Sequence, residues 1–392
     1  MKKLRLGVIG TCGRGALSDY AHNTNDGVEI VAGMDINSDM LNKFKTRYRD
    51  KFKAEVNGYT DYKEMLEKEQ LDGVFITSPD FCHEEQAYYA LSHGVPVYLE
   101  KPMAITIEGC DRLLETARTN KTKLMVGHNM RYMDFTNKMK DLIDSGAIGE
   151  VKAIWCRHFV SYGGDAYFRD WHADRSKSTS LLLQKGAHDI DIIHWLAGGF
   201  SRRVIGMGNL SVYDKLPRRT DAPENKPDIS FDVSHWPPMK QTGFHPIIDV
   251  EDHNMIMMQL ENGTQACYLQ CHYTPDACRN YTIIGTEGRI ENYGDYGKDS
   301  TIELWDKRNN SFCLNGNVTY RLIAEPGSHG GADLKIIQGF VDYLREEKSP
   351  TTTPQASRYA VATGCAGAES IRHLGMPVDV KPLPDEIKKH QY

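Results

Sequence analysis

From residue 4 to residue 128 short apolar runs alternate with stretches of helical period, and that alternation constrains the fold more than any other feature of the chain. "LRLGVIG", "VEIVAGMD", "LDGVFITSP", "VPVYLE" and "KLMVGHN" read as strands of the buried kind, apolar along most of their length rather than at every second position. The segments between them, "GALSDYAHNT", "SDMLNKFKTRYRD" behind a Ser38 cap, "HEEQAYYALSHG" and "IEGCDRLLETARTN", read as helices, with Pro79 and Gly94 as stops. Strand followed by helix, repeated, predicts a doubly wound α/β domain over residues 1–128, its parallel sheet covered on both faces.

Residues 129–392 change character. After a helix around "DFTNKMKDLIDSG", the runs "EVKAIWCRHFV", "RRVIGMGNLSVY", "NMIMMQLENGTQACYLQCHY", "YTIIGTEGRIEN" and "STIELWDK" are strands joined mostly by short glycine-bearing turns. They predict an α+β domain built on a large, mainly antiparallel, open-faced sheet, closed by the helices "ADLKIIQGFVDYLREE" and "QASRYAVATGCAGAESIRHL". Residues 214–248 hold Pro217, Pro223, Pro227, Pro237 and Pro238 with little periodicity and read as a long irregular insertion. Two domains also suit a chain of 392 residues.

Acidic side chains outnumber basic ones, 53 to 47, for a formal charge of -6, which leaves no cationic excess for a nucleic acid or an anionic membrane. No apolar run approaches the about 20 residues a membrane span needs. The start, "MKKLRLGVIG", runs into a glycine turn without the features of a secretory signal. Nine scattered cysteines suit a reducing compartment, so the expectation is a soluble cytoplasmic protein.

"VIGTCGRG" follows the first strand and opens the first helix, the setting in which a glycine turn and a helix N-terminus hold a pyrophosphate. Gly10, Cys12, Gly13, Arg14 and Gly15 are therefore candidate cofactor residues; Cys12 stands where the second glycine of G-x-G-x-x-G is usual, and its β-carbon is expected to push the phosphates outward. Asp35 ends the second strand, where its carboxylate accepts bonds from a ribose diol and repels a 2′-phosphate; that favours NAD over NADP, with Arg14 tempering the preference. Lys101, between Glu100 and Pro102, lies where "VPVYLE" ends. Ligands bind at the C-terminal ends of strands in such a sheet, so this lysine faces the cofactor and can polarise a substrate oxygen.

These residues, with "TSPDFCH", "EKP", "GHNMRY", "GAHDIDIIHWLAG", "LENGTQA", "GTEGRIE", "HGGADLKIIQGFVDYL" and "AGAESIRHLGMPV", resemble the Gfo/Idh/MocA oxidoreductases nearly end to end. The family is named after glucose–fructose oxidoreductase and inositol dehydrogenase. The resemblance implies a Rossmann dinucleotide-binding domain followed by the open-faced sheet domain, with a sugar, cyclitol or related polyol bound between them beside the nicotinamide. It makes Lys101 and His188 the catalytic pair, adds Thr77, Ser78, Pro79, His83, Glu100 and Asn129 to the cofactor residues, and places Arg131 and Tyr132 near the substrate. Related inositol dehydrogenases carry an aspartate four residues before the histidine; here it is Gln184, an amide that can hold the ring but not charge it, and Asp191 is the candidate replacement.

In the helix that follows, Ile190, Ile193, Leu196 and Ala197 form an apolar stripe while His188, Asp191 and Trp195 share another side, so one face packs and the other meets substrate. Upstream, "YFRDWHADRS" offers Arg169, Trp171 and His172 for hydroxyls or a carboxylate and for stacking on a sugar face. The function expected is an NAD-dependent dehydrogenase acting on a secondary alcohol of a sugar, cyclitol or glycoside. The alternatives are a redox-neutral glycosidase that oxidises its substrate transiently and eliminates, and a non-catalytic dinucleotide or sugar sensor. No metal is expected: Cys267 and Cys271 share a strand face and His272 points the other way, while His245, His253, Glu251 and Asp252 read as solvated polar residues. The exposed sheet face is expected to make a homodimer or homotetramer.

Overall fold

The computed structural model describes residues 3–221, 231–295, 297, 299–323, 326–346, 348–390 and 392. The chain divides into two compact units: Met1–Tyr132 with Gly327–Arg358 and Leu383–Tyr392, and Met133–Pro326 with Tyr359–Pro382. By compactness the first unit runs to Tyr132 and takes in two later segments of the chain. Their return has a packing cause. The helix Ala332–Leu344 sets Ile336, Ile337, Phe340, Val341 and Leu344 into the same core as Leu6, Val8, Phe75 and Tyr98, which removes that apolar stripe from water.

In the first unit six strands, β1 (Leu4–Ile9), β2 (Val28–Met34), β3 (Asn57–Tyr59), β4 (Gly73–Ile76), β5 (Val97–Glu100) and β6 (Leu124–Gly127), lie in the order β3-β2-β1-β4-β5-β6. Every pairing is parallel. Strands β4, β5 and β6 are buried at every position, as their unbroken apolar runs require when both faces are covered. The order reverses between β1 and β4, which opens a crevice at the C-terminal ends of those two strands.

Two local readings change. The first crossover is not one helix: Gly13–Leu17 is a 3-10 turn, only Ser18–Ala21 is α-helical, and His22 is already extended. Asn23 then caps a further turn with its side chain and bridges to Val28, so the chain starts back toward β2 early. The helix Ser38–Phe52 is capped by Asn37, whose side-chain oxygen accepts from the N–H groups of Asp39 and Met40, rather than by Ser38.

The second unit carries a nine-stranded sheet of β7 (Val151–Phe159), β8 (Ser201–Asn209), β9 (His253–Leu260), β10 (Gln265–Cys271), β11 (Cys278–Gly285), β12 (Arg289–Tyr293), β13 (Thr301–Trp305), β14 (Val318–Arg321) and β15 (Val378–Asp379). Its order is β14-β13-β12-β11-β7-β10-β9-β8-β15. All pairings are antiparallel except β7 with β10, which run parallel. Alternation is clear in β9, whose burial pattern reads every second residue in, leaving Met255 and Met257 outside.

The insertion at 214–248 is irregular as expected, with short 3-10 turns at Val233–His235 and Pro238–Lys240. Its ends are anchored: Leu216, Phe244 and Ile248 share a buried cluster with Tyr167, Phe168 and Tyr213. Pro223 and Pro227 lie outside the described residues. Among the described residues no helix is long and apolar enough to cross a membrane.

Candidate active site

At the crevice between β1 and β4 the glycines are needed for space. A β-carbon on Gly10, whose φ is +85°, would come 2.6 Å from the Ser78 nitrogen, and one on Gly15 would come 2.5 Å from the Gly10 oxygen. Both distances are below any real contact, so only glycine lets this turn close. Cys12 differs. It is extended (φ -91°, ψ 161°) with its side chain exposed, so the departure from the glycine pattern strains nothing in the turn itself. Gly13 is exposed, and a β-carbon there would meet nothing within 4 Å.

Asp35 stands one residue past β2. Its Oδ2 accepts from the Thr11 N–H and hydroxyl, each at 3.0 Å, and Oδ1 accepts from the Asn37 N–H at 3.0 Å. The carboxylate therefore ties the glycine turn to the end of β2 and retains lone pairs for a diol. Thr77 donates its hydroxyl to the Gly10 oxygen at 2.7 Å. Ser78 donates to Gln86 at 2.6 Å, and the buried His83 ring spans the carbonyls of Pro102 (2.7 Å) and Ser78 (2.9 Å). Burial disfavours the charged form of that ring. Pro79 opens the short turn between these two anchors.

Arg14 does not face Asp35. Its Nε and Nη2 donate to Glu100 Oε1 at 3.0 and 2.8 Å, and its Nη1 donates to Asp333 Oδ2 at 2.8 Å. Its guanidinium is thus spent inside the unit rather than available to a 2′-phosphate, which removes the reason to temper the NAD preference. Asp333 also receives Asn129 Nδ2 at 3.0 Å and faces His329 Nδ1 at 3.0 Å. Burial works against its charge, yet His329 and Arg14 hold its carboxyl well below the usual range. Glu100, buried and fixed by Arg14, accepts the Lys101 N–H at 3.3 Å. Lys101 thus leaves β5 half-buried at the same sheet edge as the glycine turn, joined to Pro102 by a cis bond.

Arg131 and Tyr132 follow β6 in a 3-10 turn. Arg131 is buried and donates Nη1 to the Thr351 oxygen at 3.1 Å. Tyr132 lines a cavity of about 500 Å³ with Leu334, Gln338, Gly339 and Thr351. The two expected substrate residues thus pack toward the 348–351 segment of their own unit.

In the second unit the helix Gly186–Ala197 is buried nearly all round, including His188, Asp189, Asp191 and His194. The expected division into a packing face and an open face does not hold. Gln184 ends a separate helix, Leu181–Gln184, with Lys185 between the two. Asp189, on the same helix as His188, carries a buried ion pair. Asp189 accepts from Arg279 Nε at 3.0 Å, from Tyr268 at 3.1 Å and from Tyr281, with His158 Nδ1 at 3.0 Å. Burial opposes its ionisation, but Arg279 and His158 hold its carboxyl well below the usual range. Burial and the Arg279 charge push His158 down to about 3, so it is a neutral ring.

The loop residues are placed together with the insertion. Arg169 donates Nη2 to Gln241 at 3.2 Å, and the Trp171 and His172 rings stack at 3.7 Å. Of the residues considered for metal, Asp252 accepts the backbone N–H groups of Ser211, Val212 and Tyr213, Glu251 pairs with Arg372, and His245 bonds the Ile247 carbonyl. Sequence reasoning missed Lys185 and Tyr162, whose Nζ and hydroxyl meet at 3.0 Å. A lysine inside "SLLLQKGAHDI" was the available signal, since such a run leaves it little water.

The glycine turn, Asp35 and the sheet order fit a dinucleotide, and comparison with known proteins agrees. Residues 4–128 match the model "Oxidoreductase family, NAD-binding Rossmann fold", and residues 140–380 match "Oxidoreductase family, C-terminal alpha/beta domain". The chain belongs to the Gfo/Idh/MocA oxidoreductase family. Its relatives include the Bacillus subtilis (strain 168) protein YteT, named as an oxidoreductase without a substrate, 24% identical over 82% of this chain and 84% of that one. An inositol 2-dehydrogenase of Salmonella paratyphi B is 31% identical over 48% of this chain and 52% of its own. Among solved structures, levoglucosan dehydrogenase in complex with NADH and levoglucosan superposes with a TM-score of 0.77 at 18% identity, over 97% of this chain and 100% of that one. The Lactobacillus casei scyllo-inositol dehydrogenase with bound NAD(H) and scyllo-inositol gives 0.70 at 22% identity, over 97% and 99%. The chain is thus an NAD-binding oxidoreductase of the class that acts on CH–OH groups.

Proposed function

We propose that this enzyme oxidises a secondary alcohol of a sugar, cyclitol or glycoside, with Lys101 and His188 handling the hydroxyl proton. The observation that carries the reading is the fixing of Lys101: Arg14 holds the buried Glu100, and Glu100 holds the Lys101 backbone, at the sheet edge that bears the glycine turn. Gly10, Cys12, Gly13, Gly15, Asp35, Thr77 and Ser78 would hold NAD, which when bound supplies the acceptor for the carbon-bound hydride. Lys101 donates a hydrogen bond to the reacting oxygen and favours the developing alkoxide; His188 accepts the hydroxyl proton. Arg169, Trp171 and His172 orient the ring of the substrate, which lowers the entropic cost of alignment. None of the nine cysteines is placed in a disulfide, in keeping with a cytoplasmic enzyme.

The outer face of the second unit's sheet supports a homo-oligomer. Met207, Met255 and Leu269 follow one another across β8, β9 and β10, and Met257, Cys267 and Trp155 across β9, β10 and β7. Met207 and Met257 are 70% and 58% exposed, and a second copy of the chain would cover this face. The test of function is NADH formation from a panel of sugars, cyclitols and glycosides, with glycoside cleavage followed in parallel. Net NADH supports the reading; cleavage without net NADH, or neither, defeats it.

A further inference from the structure

This inference rests on alcohol oxidation as proposed above and adds the class of substrate. Lys185 joins the helices Leu181–Gln184 and Gly186–Ala197 and is only 9% exposed. Its Nζ donates to the Tyr162 hydroxyl at 3.0 Å and lies 5.3 and 5.4 Å from the ring centroids of Tyr162 and Tyr167. Among the described residues no carboxylate forms an ion pair with it. The fully charged group that acts on it is another cation, Arg279, whose own charge is met by Asp189 at 3.0 Å and Asp295 at 3.9 Å. A desolvated ammonium between two phenols has no carboxylate to match it, its partner being the Tyr162 phenol, whose pKa the Lys185 charge lowers, and buried charges are ordinarily paired.

A second observation lies beside it. His272 is wholly buried, both of its ring nitrogens lack a partner among the described residues, and its ring packs edge-on to Tyr167 at 5.3 Å. Burial and the nearby His158, Lys185 and His172 keep it neutral, so it offers one donor and one acceptor, which suits a hydroxyl. The backbone is shaped to bring the two together: a β-carbon on Gly163 would fall 2.0 Å from the His272 oxygen, so the glycine after Tyr162 lets that turn rest on His272. His172 reaches the same group, edge-on to Tyr167 at 5.1 Å.

We propose that Lys185, framed by Tyr162 and Tyr167, binds the carboxylate of an acidic polyol, so that the substrate is an anionic sugar or cyclitol of the uronate or aldonate class and His272 meets a neighbouring hydroxyl. The ammonium supplies charge-assisted bonds to the carboxylate, and the phenols orient it.

The experiment is calorimetric binding to the full chain loaded with NAD, using a panel of hexuronates and hexonates, each against its neutral hexose or hexitol. At least one acid is expected to bind more tightly than its neutral partner by on the order of 10- to 100-fold. Lys185→Met should abolish that preference while raising the thermal midpoint of the ligand-free protein, because it removes a desolvated charge. Tyr162→Phe, which leaves the ammonium in place, should keep the preference. Absence of any acid preference in the wild type overturns the proposal, as does a preference that survives Lys185→Met. So does a tyrosinate absorbance at neutral pH that Tyr162→Phe removes, since the pair would then neutralise itself. Binding is read without turnover, so failure to form NADH from any polyol would count against the oxidation reading alone.

Discussion

Asp189→Asn is the perturbation whose cost follows most directly from the structure. The carboxylate is wholly buried and is the counter-charge of Arg279, itself only 10% exposed at its side chain. Asparagine keeps the shape and one acceptor but removes the charge, and its amide nitrogen must face a donor: Arg279, Tyr268 or Tyr281. Breaking one partner out of a buried pair costs about 3–5 kcal/mol, because the other charge stays desolvated. In a unit of this size each kcal/mol lowers the melting midpoint by about 2–4 °C, so a fall of about 6–20 °C is expected by differential scanning calorimetry. Replacing both members with apolar residues, Asp189→Leu with Arg279→Met, should recover most of the loss, since no charge is then stranded. A fall under about 3 °C for Asp189→Asn, or a double variant no better than the single, would refute the view that this ion pair anchors the helix bearing His188.

Gly15→Ala should abolish NAD binding or folding, given the 2.5 Å approach to the Gly10 oxygen, whereas Cys12→Gly should change the Kd for NAD by less than about threefold, as fluorescence titration would show. Asp35→Ala should weaken NAD on the order of tenfold by loosening Thr11 as well as losing a ribose acceptor, while the weaker binding of NADP changes little or improves, because the carboxylate no longer repels its 2′-phosphate. Stability should fall on acidification: His158 protonates near 6.5 when unfolded but only at about 3 when folded, so above 6.5 its contribution is complete and below it the unfolded state gains a proton the folded state refuses. Melting midpoints should therefore decline from pH 6.5 toward pH 4, Asp189 extending the decline below about pH 4, and His158→Gln should flatten the slope between pH 6.5 and 4.

The parallel sheet was legible because buried strands advertise themselves: "VPVYLE" and "KLMVGHN" carry unbroken apolar cores rather than alternation, and their helices carry the complementary period. The glycine turn and Asp35 were legible because their meaning lies in short spacing. What depended on distant pairing was not. The parallel contact of β7 with β10 cannot be told from an antiparallel one by alternation, which fixes the face of a strand and not its neighbour. Arg14 was assigned toward a 2′-phosphate because Asp333, 319 positions away, gave no local sign that it would claim the guanidinium. Lys185 and Tyr162 meet across 23 residues in the same way. The helix at 186–197 misled for a different reason: His188 and Asp191 are polar enough to suggest an open side, yet Asp189 brings its own buried partners and the whole helix can be covered.

The account stands most directly on NADH formation by Lys101→Met and His188→Ala, measured in single turnovers with the best polyol of the panel while NAD affinity is measured in parallel. Each variant is expected to bind NAD as the wild type does and to lose on the order of 10²- to 10⁴-fold in the rate of NADH appearance. Turnover within about threefold of wild type in either variant would contradict the assignment of proton handling to these two side chains.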